Sequence, residues 1–168
     1  MLGRIIAGAI AGGLGTLAMD LVWFKRYRDG GGDEGFRDWE FATSTGSFED
    51  ASAPGQAAQK VTNAIGIDLP DASAGTATNA MHWLTGVGYG VSHSLLQNGR
   101  NPVLGGLTTG VGAFTNSYVT MGAMGIYAPI WEYDAQTLWK DLSAHLAFGL
   151  TTGLAYAAMT AGSDDNEG

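Results

Sequence analysis

The sequence predicts an all-α polytopic membrane protein, a bundle of four transmembrane helices with a long polar loop between the first and the second. Three observations carry this. Four apolar stretches each approach the ~20 residues that span ~30 Å of hydrocarbon. Charged residues make up only 14% of the chain, against about 25% in an ordinary soluble domain. Glycine accounts for 27 of the 168 residues, a load that weakens helices in water but lets helices in lipid approach closely.

The first span covers about 5–24. It is longer than the apolar core of a signal peptide, contains Asp20 and is followed by Lys25, Arg26 and Arg28, so it reads as a retained helix. A polar region follows at 25–77. It opens on Gly30, Gly31 and Gly32 and then carries Phe36, Trp39, Phe41 and Phe48, rings suited to the lipid–water boundary. Pro54 at a first-turn position, with Ala57, Val61 and Ile65 spaced by four, predicts a short helix from Ala53. Ile67 to Gly75 reads as turn and loop. The second and third spans, about 78–96 and 103–126, flank a turn containing Asn98 and Gly99, which makes them an antiparallel hairpin. Residues 127–137 lead into the fourth span, about 138–160, and an acidic tail, 161–168, is expected to be disordered.

Four spans place both termini and the 97–102 turn on one side of the bilayer, here called side B. The 25–77 and 127–137 segments fall on the other, side A. Side A holds Lys25, Arg26, Arg28, Arg37, Lys60 and Lys140, whereas side B holds Arg4 and Arg100. The positive-inside rule then puts the 25–77 loop in the cytoplasm and the chain in an inner or plasma membrane. Small residues recur at four-residue spacing within the spans: Gly8 and Gly12, Gly86 and Gly90, Gly106 and Gly110, Gly149 and Gly153. Such pairs indicate tight helix contacts, inside the bundle or in a homo-oligomer or larger membrane complex. A net charge of −8 offers no basic surface for nucleic acid, and the absence of cysteine removes disulfides and thiolate chemistry.

Ionisable side chains in a bilayer are costly and are therefore the first functional candidates. They are Asp20, His82, His93, Asp141 and His145. Asp141 and His145, four residues apart, share one helix face. Connectivity puts Asp20, His82, Asp141 and His145 in the side A half, with Glu132 and Asp134 in reach from the loop. His93 lies eleven residues beyond His82, about 16 Å along the helix, near side B. Asn116 sits near mid-span and is expected to find a partner within the bundle. Three readings of the cluster stay open. It could staple the helices; it could pass protons or ions; or it could bind a metal, through His82, His145 and Asp141, or a haem. Asp20, near a helix end, could also reach the boundary and pair with Lys25 or Arg26. Trp23, Trp83, Trp131 and Trp139 read as an interfacial belt. No phosphate-binding loop, Gly-x-Ser-x-Gly elbow or His-Glu-x-x-His motif is present, which points away from an enzyme.

Several stretches carry a family likeness: Gly15 to Asp20, Trp39-Glu40-Phe41, Met81-His82-Trp83-Leu84, Gly105 to Gly112, and Trp131 to Phe148 with Asp141-Leu142-Ser143-Ala144-His145-Leu146. In these the chain resembles the YagU-like family of small multi-pass inner-membrane proteins. The resemblance implies a four-span fold, with His82, Asp141 and His145 at matched positions, and no particular reaction or cofactor. It also implies cytoplasmic termini, opposite to the orientation that the lysine and arginine count gives.

Overall fold

The computed structural model describes residues 1–97 and 100–161. Asn98, Gly99 and the acidic tail from residue 162 lie outside the described residues. Within them the chain is helix and connecting loop. Six α-helices run in the order α1 (Leu2–Asp29), α2 (Phe36–Glu40), α3 (Ala53–Ala64), α4 (Ala74–Leu96), α5 (Pro102–Ala123) and α6 (Ala135–Thr160), with short 3-10 turns at Asp71–Ser73 and Ile130–Glu132. The all-α class is as the sequence predicts. The long helices α1, α4, α5 and α6 cover the four apolar stretches, and α3 is the expected short helix.

The boundaries differ in ways that local chemistry explains. α1 continues to Asp29 and stops at Gly31, whose φ of +94° suits a residue without Cβ; Gly32 N–H then bonds back to Tyr27 O at 2.9 Å. α5 ends at Ala123, short of Ile126, because Gly125 takes φ +66° and Ile126 N–H closes onto Met121 O at 2.8 Å. α4 begins at Ala74, inside the segment expected to be loop. α2 was not signalled, being a single turn of aromatic and charged residues with no apolar period.

Two compact units divide the chain. The first comprises Met1–Val22, Thr85–Thr115 and the chain from Ala135 onward; the second comprises Trp23–Leu84 and Asn116–Asp134.

The first unit is built on glycine. α1 and α4 run antiparallel with backbone against backbone: a methyl added to Gly8 would lie 2.6 Å from the Gly90 carbonyl oxygen, and one on Gly12 would collide with the Gly86 carbonyl. α5 and α6 repeat the arrangement, a methyl on Gly106 falling 2.6 Å from Gly149 O and one on Gly110 2.5 Å from His145 O. α1 also meets α6, where Gly15 faces the Phe148 carbonyl and the Thr152 hydroxyl. All four small-residue pairs seen in the sequence therefore engage, two against two. Thr16 and Thr152 are fully buried because each hydroxyl bonds the carbonyl four residues back, Gly12 O at 2.9 Å and Phe148 O at 2.8 Å. That bond satisfies a polar group that burial would otherwise penalise.

The large aliphatic side chains point the other way. Ile6, Ile10, Leu14 and Leu21 on α1, Val103, Leu104 and Val111 on α5, and Leu154 and Met159 on α6 are exposed, whereas the buried positions hold mostly Gly, Ala, Thr and Ser. One helix among the described residues, Leu2–Asp29, is both long and apolar enough to cross a membrane, and its N-terminal place is also that of a signal sequence. α4, α5 and α6 have the length, at 23, 22 and 26 residues.

The second unit is held by aromatic and polar contacts. Phe24, Tyr27, Phe36 and Trp39 pack with ring centroids 5.2–6.3 Å apart, and Arg26 lies 5.0 Å over Trp23. The Phe48 ring is buried and its N–H donates to Asp71 Oδ1 at 3.2 Å. Glu40 receives two bonds from α4, Trp83 Nε1 to Oε1 at 2.8 Å and Asn79 Nδ2 to its carbonyl at 2.5 Å.

The glycine contacts give a graded expectation. Gly149→Ala places a methyl against the backbone of Gly106 and Gly110 and should cost about 1–3 kcal/mol, lowering the thermal midpoint in detergent. Gly112→Ala, with nothing within 4 Å, should be neutral or stabilising by up to about 1 kcal/mol, the helix-propensity gain alone.

Candidate functional site

α6 brings two predicted residues together. Asp141 and His145 lie one turn apart, and the His145 Nδ1 is 3.0 Å from the Asp141 carbonyl oxygen and 3.1 Å from its carboxylate Oδ1. Both side chains are only 15% exposed. The ring is fixed from a second side by Phe114 of α5, edge to face at 5.8 Å, and the His145 backbone is pinned by Gly110. Because two acceptors surround Nδ1, the neutral ring carries its proton there and leaves Nε2 with a free lone pair. An imidazole held in one tautomer by a carboxylate can take up and release a proton at Nε2 without turning.

Asp20 belongs to the same unit. It is 4% exposed, and Lys25 pairs with Asp29 at 2.5 Å. His82, Glu132 and Asn116 fall in the second unit. His82 is half-buried on α4 and Glu132 is exposed in the 3-10 turn. Asn116 is exposed on α5. Among the described residues no group of three or more His, Asp and Glu side chains is arranged to hold a metal ion.

His93, the candidate placed near side B, has partners that the sequence did not give. His93 is buried, 4% exposed, with Nδ1 2.7 Å from the Thr109 hydroxyl of α5 and its ring edge to face with Tyr156 of α6 at 5.5 Å. It faces a cavity of about 220 Å³ that Gln97, Gly105 and Tyr156 also line. No local motif signals this, since the three contributing helices meet only in the folded chain.

Glu40 bonds Trp83, and Gly110 packs on His145. Searches against family models, curated proteins and solved structures found no match to this chain.

The Thr109 hydroxyl donates to Gly105 O at 3.0 Å, so its lone pair is what His93 Nδ1–H meets. Nitrogen NMR of the neutral protein should find His93 in the Nδ1–H form. Thr109→Val should shift it toward Nε2–H and cost about 1–3 kcal/mol for the buried donor left without a partner.

Proposed function

We propose that this chain is a multi-pass membrane protein, with α1, α4, α5 and α6 crossing the bilayer, and that it handles protons or small cations through the Asp141–His145 pair. The observation that carries the reading is the carboxylate held 3.1 Å from an enclosed imidazole nitrogen. A structural staple would be served by the backbone bond alone. A carboxylate on the same nitrogen instead fixes the ring's tautomer and leaves Nε2 as the atom that meets a proton.

The membrane part of the proposal is supported by the distribution of size. A soluble bundle buries Leu, Ile and Val. Here those residues cover the outside of the long helices and the interior is Gly, Ala, Ser and Thr, the pattern expected where lipid tails solvate the aliphatic side chains and close backbone contact drives association. At 1.5 Å per residue, helices of 22–28 residues are about 33–42 Å long, enough for ~30 Å of hydrocarbon. Exposed Trp131 and Trp139, 80% and 61%, suit a headgroup-level belt. The positive-inside count places the 25–77 segment in the cytoplasm, and the likeness to YagU-like proteins belongs to the same proposal.

A second reading, a homo-oligomer or a subunit of a larger membrane complex, is favoured by small residues left facing outward. Gly88 and Ser92 on α4, and Thr108 and Gly112 on α5, repeat the four-residue spacing on exposed surface.

Reconstitution in liposomes containing a pH-sensitive dye tests the first reading. Asp141→Asn and His145→Ala should each lower proton flux by about an order of magnitude or more, with the helical circular dichroism retained. Unchanged flux in both variants would remove the pair from the path.

A further inference from the structure

The His93 cavity has a polarity of its own. The Thr109 hydroxyl spends its proton on Gly105 O, so Nδ1–H of His93 points to Thr109 and Nε2 is the ring atom left to an occupant as an acceptor. Beside it Gln97 Oε1 is fully buried and has no hydrogen-bond partner among the described residues. Both groups converge on Gly105, where a methyl would meet His93 Cε1 and Gln97 Cβ at 3.4 Å. The inner wall thus offers two buried acceptors.

The mouth offers the opposite. Arg100 is exposed there, and α5 begins at Pro102. Asn101 caps that helix, its Oδ1 accepting Val103 and Leu104 N–H at 3.0 and 3.1 Å. A helix N-terminus and a guanidinium together favour an anion, and among the described residues no carboxylate lines the cavity. A buried acceptor without a donor is costly, and an occupant that donates N–H groups inward would satisfy it.

We propose that this cavity binds a primary ammonium group joined to an anionic group a few ångströms away, the chemistry of phosphoethanolamine. The ammonium donates to His93 Nε2 and Gln97 Oε1, and the phosphate meets the Arg100 guanidinium at the mouth. The volume of about 220 Å³ holds roughly seven waters at ~30 Å³ each, or one such headgroup. The source is either a membrane lipid headgroup or a free zwitterion. The lipid source rests on the membrane reading, which sets the α4–α5 turn at a bilayer surface; the free source does not.

The test uses the full chain in phosphatidylcholine nanodiscs, with the His93 Nε2 nitrogen shift as readout. Free phosphoethanolamine, or phosphatidylethanolamine added to the disc, should move that shift saturably. Phosphocholine has the same charges and no N–H donor, so it should bind about tenfold or more weakly. Gln97→Leu and Arg100→Gln should each weaken binding by a similar factor. A response only to the lipid assigns the headgroup source, and a response to the free compound assigns the soluble one. No saturable response to either, or equal binding of phosphocholine, overturns the proposal. The phosphocholine comparison needs no variant, so misfolding cannot obscure it. The readout is independent of proton flux, so failure here and failure of the Asp141–His145 reading are separately visible.

Discussion

Contact between glycine backbones is the constraint on which the first unit depends. Gly8 and Gly12 meet Gly86 and Gly90, and Gly106 and Gly110 meet Gly149 and Gly153, at separations that leave no room for a methyl. Helices this close gain dispersion contacts along their whole backbone rather than through interlocked side chains. Everything polar inside the unit follows from that geometry. Thr16 and Thr152 can be buried because their hydroxyls fold back onto their own helices. His93 reaches Thr109 because α4 and α5 form a close hairpin, and it reaches Tyr156 because α6 packs on α5.

The same constraint decides where the bulky residues go. With glycine, alanine and threonine filling the interior, Ile10, Leu104, Val111 and Leu154 have no internal pocket to fill and lie on the outside. In water that surface would be a liability to aggregation. In a bilayer it is the natural solvent-facing surface. The inner faces also supply the two imidazoles with one free nitrogen each, His145 beside Asp141 and His93 beside Gln97.

How much of this was legible in the sequence depends on whether the cause is local. The helices follow from apolar length, and the Asp141–His145 pair follows from four-residue spacing on one helix. The four glycine pairs could be read individually, but the spacing did not say which pair meets which. α5 ends early because Gly125 adopts a positive φ, a choice that a glycine-rich segment hides among many equivalent glycines. The depth of Asn116 along its span was legible, and its exposure on α5 was not. The His93 cavity needed residues from three helices separated by the 97–102 turn and by all of α5, so nothing local could announce it. Asp20 was legible as an unusual residue, while its burial was not.

The central claim is that large side chains face lipid around an interior of small ones. The chain has no cysteine, so a single nitroxide can be attached after Ile10→Cys, Val111→Cys or Leu154→Cys in liposome-reconstituted protein. Spin relaxation by oxygen, which partitions into hydrocarbon, is then compared with relaxation by a water-soluble nickel complex. The account predicts strong oxygen and weak nickel relaxation at all three sites. Strong nickel relaxation at all three would place these side chains in water and contradict the account.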